Sequence, residues 1–187
     1  MRRALVGLGV ALVLGCGAQR PELDPTESVR GERRRVVQIP LETLWPTILH
    51  ALPQEGIEVA QSDSEQGTIT TRRVRYTGSE VPRRLGEIAD VSRARQAGFG
   101  RATEMDVTYY LLVSKTSPAA TQLRIRSTIE AIERTPILFG PGLLEVVPHR
   151  VEVPSRGVVE QELMRRLAAD VYTAEEMLLM LGELGLD

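Results

Sequence analysis

Two neighbouring segments in which apolar and polar residues alternate constrain the fold of this chain more than any other feature. They span residues 105–113 and 122–133, and Ser117 and Pro118 lie in the connection between them. Alternation with a period of two is typical of a strand with one buried and one solvated face. The residues expected on the buried face are Val107, Tyr109, Leu111, Val113, Leu123, Ile125, Ser127, Ile129 and Ala131. Such a one-sided sheet needs a helix to cover its apolar face.

An amphipathic segment at residues 41–52 precedes these strands. Its apolar residues recur every three or four positions, which predicts a helix with one buried stripe. If Thr43 is the N-cap, Pro46 lies in the first turn, where no intrahelical donor is lost. If the helix begins at Leu41 instead, Pro46 should kink it.

Shorter strands and a second helical stripe complete the predicted α+β fold. Residues 36–39 and 57–60 are strand candidates, and residues 68–74 pair with the second of them through a turn in which Gly67 takes a positive φ. From about residue 157 to 185, apolar residues step by three or four, as one long helix or two shorter ones. We therefore expect a single antiparallel sheet of about five strands, packed against a short N-terminal helix and a long C-terminal helix.

Two long stretches do not fit into this sheet, and we expect them to be loops. They span about residues 76–103 and 135–155, and both are rich in glycine and proline. The first contains the candidate anion-binding or partner-binding residues Arg83, Arg84, Arg93, Arg95 and Arg101. Arginine binds phosphate and carboxylate through a planar fork, so this loop is a candidate docking site for an anionic surface or an acidic partner. The alternative is a solvated loop in an arginine-rich chain, in which Lys115 is the single lysine.

The N-terminus predicts export. A basic start at Arg2 and Arg3 precedes an apolar run of roughly 11 residues, far below the ~20 that a membrane-crossing helix needs. Residues 1–15 are therefore expected to be a cleaved signal peptide. Val13-Leu14-Gly15-Cys16 resembles the lipobox of bacterial lipoproteins, which implies that Cys16 carries a diacylglycerol group and an N-linked acyl chain such as palmitate. The alternatives are an ordinary signal peptide with an incidental cysteine, or a cytosolic protein with an apolar N-terminal helix.

The segment after Cys16 predicts a tether and a location. Residues 16–35 contain many charges and hardly any apolar residues, so they are expected to form a flexible tether to a domain at residues 36–187. Gly17 follows the lipidated cysteine, in place of the aspartate that marks inner-membrane retention in enteric lipoproteins. This favours the outer membrane, with the domain facing the periplasm.

Composition argues against nucleic acid as a partner and against catalysis. The net charge is −2, so no global field favours nucleic acid, and the single cysteine leaves no disulfide. His50 and His149 are the two histidines, and His149 with Glu152 lacks the helical His-Glu-x-x-His spacing of zinc hydrolases. No nucleophile elbow or phosphate-binding glycine loop is present. We expect no enzymatic activity, no metal, and no cofactor besides the lipid on Cys16.

A family resemblance covers about residues 36–74. The residues that carry it are Val37-Gln-Ile-Pro40, Trp45 through Leu52, Gly56-Ile57-Glu-Val59, Ser62-Asp63 and Gly67-Thr-Ile-Thr70. Their order resembles the helix-grip domains of envelope lipoproteins such as the BamC subunit of the outer-membrane protein assembly machinery. The resemblance implies a helix-grip-like fold and a non-catalytic accessory role in envelope assembly or maintenance, exerted through a protein partner. The alternative is a carrier that holds a lipid or another apolar ligand between the sheet and the C-terminal helix.

Overall fold

The computed structural model describes residues 31–92, 95, 99–138, 144–168 and 171. Within this part of the chain the fold is α+β, with seven strands in one open antiparallel sheet. The elements in chain order are β1 (Arg33–Val37), α1 (Leu41–Gln54), β2 (Val59–Asp63), β3 (Thr68–Thr71), β4 (Val74–Thr77), α2 (Val81–Ile88), β5 (Glu104–Ser117), β6 (Ala120–Leu138), β7 (Leu144–Val153) and α3 (158–168). No helix in this part of the chain is both long and apolar enough to cross a bilayer.

The long β5–β6 hairpin is the centre of the sheet. Its register runs from Glu104 opposite Ile132 to Ser117 opposite Ala120. On its far side, β5 pairs with β3 along one half and with β4 along the other, and β2 pairs with β3. The far side of β6 is likewise shared, by β1 and then by β7. The alternation that predicted these two central strands is confirmed.

The core lies on one face of this sheet, under the helices. Met105, Val107 and Leu111 of β5 are fully buried, as are Ile125 and Ile129 of β6. They form one cluster with residues of α1 and α3, namely Leu44, Ile48, Leu52, Val159, Leu163 and Leu167. The expected pattern of a one-sided sheet covered by N-terminal and C-terminal helices is therefore present.

The first helix begins earlier than an N-cap at Thr43 requires. It starts at Leu41 after Pro40, so Pro46 lies inside the helix rather than in its first turn. The hydroxyl of Thr47 donates a hydrogen bond of 2.9 Å to the carbonyl of Thr43, one turn back. Gly67 does take the predicted positive φ, of +66°, in the β2–β3 turn.

The sheet has seven strands where about five are expected, because one predicted loop contains β7 and one predicted strand is divided in two, and the other predicted loop contains a helix. Residues 135–155 are largely strand, since β6 continues to Leu138 and returns as β7. The stretch 76–103 contains α2, whose buried residues Val81, Leu85 and Ile88 recur at helical spacing. The predicted strand at residues 68–74 is divided into β3 and β4 by Arg72 and Arg73.

Strand β1 begins before residue 36. Arg33–Arg35 belong to β1 and pair with β6, so the sheet includes residues that were expected in the tether. Glu32, which directly precedes this strand, also contacts β6. The guanidinium of Arg124 on β6 donates two hydrogen bonds of 2.9 Å to the carboxylate of Glu32, and both side chains are buried. Residues 1–30 lie outside the described part of the chain, and so does most of the stretch 169–187. The choice between one long C-terminal helix and two shorter ones therefore stays a prediction.

A buried carboxylate joins α3 to the sheet where β6 changes partners. Pairing with β1 ends at Ile125 and pairing with β7 begins at Ile129, which leaves Ser127 between them. The carboxylate of Glu160 accepts the Ser127 backbone N–H at 3.1 Å and the Ser127 hydroxyl at 2.6 Å. Its other oxygen accepts the Ser155 hydroxyl at 2.8 Å. These bonds satisfy the strand and fix the first turn of α3.

Candidate functional site

The face of the sheet opposite the helices carries a polar cleft of about 320 Å³. Its walls are side chains of β5, β6 and β7, together with one arginine from the β3–β4 connection. They are Arg73, Asp106, Thr108, Tyr110, Thr128, Glu130 and Glu152. Arg124, Arg126, Thr128 and Glu130 alternate along β6 with its apolar residues, so the polar character of this face follows from the sequence pattern.

Strand register places a row of charges across the floor of the cleft. Arg75 on β4 lies opposite Asp106, which lies opposite Glu130, which in turn lies opposite Glu152 on β7. Like charges directly opposite one another on a sheet are destabilising. Three adjacent carboxylates therefore need cations beside them, and arginines supply these.

Asp106 is the most buried member of the row, with a relative exposure of 2%. Its two oxygens accept hydrogen bonds of 2.8 and 2.9 Å from the guanidinium of Arg75, and Arg150 lies 3.6 Å away. The hydrogen bond from Arg75 lowers the pKa of Asp106, against the opposing effect of burial. Asp106 is therefore a fixed negative charge at neutral pH.

Glu130 forms ion pairs with two arginines. Arg73 lies 3.4 Å from its carboxylate, and Arg150 lies 3.3 Å from it. Near the other end of the cleft, the guanidinium of Arg126 lies 5.8 Å from the centre of the Tyr110 ring. The cleft thus presents balanced charges and hydroxyl groups, which suit the recognition of a polar ligand or peptide segment. A general acid or base needs a pKa near the working pH, whereas the pKa of Asp106 is shifted away from neutrality.

Two of the five predicted arginines lie on α2 and face carboxylates of this chain. Arg83 is exposed and pairs with Glu80 at 2.9 Å and with Glu87 at 2.7 Å. Arg84 lies 3.3 Å from Glu162 on α3, and its guanidinium is 5.2 Å from the centre of the Tyr76 ring. Arg84 therefore connects α2 with α3 and β4.

Arg95 and Arg101 make their described contacts elsewhere in the chain. Arg95 is exposed, and its backbone N–H bonds to the carbonyl of Val91. Arg101 is also exposed, and its backbone N–H donates to Glu133 at 3.1 Å. Arg93 lies outside the described residues, as do Cys16 and residues 1–15, which were predicted to be a signal peptide. The described arginines are thus distributed over separate parts of the surface.

The histidines make local contacts. His50 on α1 lies 2.7 Å from the side-chain amide of Gln54, one turn on. The ring of His149 on β7 lies 5.6 Å from that of Phe99. Within the part of the chain that the structure describes, no three His, Cys, Asp or Glu side chains are grouped so that they could hold a metal ion.

The space between the sheet and the helices is small in the described residues. One cavity of about 40 Å³ lies beside Tyr109 and Glu162, and burial raises the pKa of Tyr109 above its ordinary value. A second, of about 10 Å³, lies between Leu123 of β6 and Leu167 of α3. A volume of about 10 Å³ corresponds to roughly one water. Neither space approaches the ~300 Å³ typical of a small-molecule pocket.

Sequence reasoning missed the centre of the cleft. Asp106 and Glu152 were not candidates for this site, although both occupy polar positions of alternating strands. The pairing register of the strands is the signal that could have identified this site, because it brings residues 106, 130 and 152 together from three strands. No known protein-family model matches the chain, and no curated protein sequence matches it.

Proposed function

We propose that this chain is an outer-membrane lipoprotein, anchored through Cys16 and facing the periplasm, that acts as a non-catalytic interaction module. Its partner is an envelope protein that places a polar segment in the cleft on the open face of the sheet. The cleft is the observation that carries this proposal. At about 320 Å³ it is larger than the two spaces between the sheet and the helices, and it lies on the face that the helices leave uncovered.

The chemistry of the cleft favours binding. Asp106, Glu130 and their arginines are held in fixed geometry by ion pairs, so a partner meets preorganised donors and acceptors. Balanced charge gives specificity of orientation without strong attraction to every anion or cation. Thr108, Thr128 and Tyr110 add hydroxyl groups that both donate and accept hydrogen bonds.

The helix-grip identity belongs to the same proposal. It is supported by α1 and α3, which pack on one face of an antiparallel sheet from opposite ends of the domain. A BamC-like accessory role in envelope assembly or maintenance is consistent with a domain of this kind held at the membrane. A fold does not define an activity, so the partner must be identified directly.

Site-specific photo-crosslinking in the native envelope tests the proposal. A photoreactive residue is placed at Thr128, in the cleft, and in a separate variant at Gln161, which is exposed on α3. We expect a discrete crosslinked envelope protein from position 128 and none from position 161. Equal crosslinking from both positions, or none from position 128, contradicts binding at the cleft.

A further inference from the structure

The β6–β7 hairpin continues well beyond the body of the sheet. Ile132 is the last residue of β6 that pairs with β5, and past it the described part of β6 pairs with β7 alone. This pairing runs from Glu133 opposite His149 to Leu138 opposite Leu144. We call residues 133–138 and 144–149 the arm. Six residues past Ile132 extend about 20 Å at the rise of a β-strand.

The base of the arm is held firmly. Glu133 accepts backbone hydrogen bonds from Gly100 at 3.0 Å and from Arg101 at 3.1 Å, and these bonds lower the pKa of Glu133. Arg134 forms an ion pair with Glu104 at the start of β5. A two-stranded ribbon alone is marginally stable in water, so these contacts give the arm a fixed direction.

The part of the arm beyond its base carries almost no charged residues. Between Thr135 and Pro148 the sequence contains a single charged residue, Glu145, whereas 26% of the whole chain is charged. Val146 is 46% exposed, and Pro136 opposite it is also exposed. Exposed apolar residues that are grouped in this way mark an interaction surface.

The two prolines of the arm argue against binding by the addition of a β-strand to its edges. Pro136 lies on β6 and Pro148 on β7, in a ribbon whose two strands, within the described residues, pair only with each other and so leave one edge of each strand unpaired. Proline is tolerated in strands where its missing N–H faces away from the partner, so each one removes a donor from a free edge. An added β-strand would need those donors. The arm is therefore suited to contact through its side chains.

The position of Gly31 indicates which surface the side chains of the arm can contact. Gly31 packs against Ser155, just after β7, about 30 Å from the outer end of the arm at the rise of a strand. Gly31 lies fifteen positions after Cys16 in the sequence. A chain of that length reaches at most about 50 Å, so a bilayer that holds Cys16 is within reach of the arm.

We propose that the arm inserts shallowly into the headgroup–acyl boundary of the bilayer to which Cys16 is attached, and so orients the open face of the sheet relative to the membrane. This rests on the proposed lipid anchor. The arginines at the base of the arm are already paired, Arg134 with Glu104 and Arg150 with Glu130. Insertion therefore depends on apolar contact, requires no anionic lipid and is insensitive to salt.

A fluorescent label that reports polarity tests this in the full-length chain with Cys16→Ser. The chain then has no native thiol, and an N-terminal hexahistidine tag holds it at vesicles that contain a nickel-chelating lipid. NBD is attached through Val146→Cys on the arm or, as the matched control, through Val158→Cys at the start of α3. The two valines have similar exposures, 46% and 43%. The vesicles are phosphatidylcholine, with and without phosphatidylglycerol.

We expect the label at position 146 to shift to the blue, to lose quenching by aqueous iodide and to gain quenching by nitroxide lipids, equally in both vesicles and at high salt. The label at position 158 should remain exposed to iodide. If both positions stay equally exposed, or if position 146 is shielded before vesicles are added, the proposal is wrong, and shielding in solution indicates a second copy. If the Val146→Cys chain does not fold by circular dichroism, the label moves to Glu145→Cys. Acylation of Cys16 is measured separately in the native chain, so failure of the anchor and failure of insertion are distinguishable.

Discussion

Asp106 links the burial of a charge to the stability of the polar face. Because its pKa is lowered in the folded state, the ionised form stabilises the fold above the ordinary pKa of an aspartate, and this stability is lost as the pH falls through the lowered value. Asp106→Asn removes the charge and leaves the shape. We expect a loss of about 2 kcal/mol in the free energy of unfolding at pH 7, from the hydrogen bonds with Arg75.

Urea unfolding of both proteins between pH 7 and pH 2.5 checks this. The difference should be constant near neutrality and should shrink below about pH 4, as Asp106 of the unmodified chain takes up its own proton. Glu65→Gln, in the exposed β2–β3 turn, is the control that changes net charge equally and should leave stability unchanged. A difference that persists undiminished at low pH contradicts the role of the charge.

At the scale of an element, the β2–β3 turn depends on the absence of a side chain at position 67. Gly67 has a φ of +66°, and a Cβ there would lie 2.1 Å from the carbonyl oxygen of Val113. Gly67→Ala should lower the free energy of unfolding by about 2 kcal/mol or more. Gly86→Ala on α2 meets nothing within 4 Å and should be neutral or stabilising by up to about 1 kcal/mol. Equal unfolding midpoints for the two variants would contradict this account.

Helix α2 offers a matched pair of arginines. Arg84 contacts Glu162 and the Tyr76 ring, whereas Arg83 contacts only exposed carboxylates of its own helix region. Arg84→Ser should lower the free energy of unfolding by about 1 kcal/mol, and Arg83→Ser should produce no measurable change. Thermal unfolding of the two variants checks this. If Arg83→Ser destabilises as much as Arg84→Ser, the connection between α2 and α3 is not what Arg84 contributes.

Elements with strong local patterns were predictable, and those that depend on distant partners were not. The β5–β6 alternation and the Gly67 turn are visible in the sequence because each rests on nearby residues. Pro136 and Pro148 indicated a loop, because a central strand excludes proline, yet the two-stranded arm has free edges that tolerate it. Arg33–Arg35 indicated a tether because they are charged. The partner that helps to order this segment is not visible locally, since Arg124, which pairs with the neighbouring Glu32, is 92 residues away in sequence. The cleft has the same limit, since its charges meet only through register.

At the scale of the whole molecule, anchoring and folding should be separable. The described residues form a continuous core from β1 to α3 by themselves, and we therefore expect the fold to be independent of Cys16. Cys16→Ser should therefore abolish incorporation of labelled palmitate in cells and leave the thermal midpoint of the domain unchanged. Metabolic labelling and calorimetry of both proteins measure the two effects. If the unmodified chain incorporates no label, the lipid anchor is wrong, while the cleft and its partner remain testable by crosslinking. If the midpoint falls together with the label, the N-terminal segment takes part in the fold and is more than a tether.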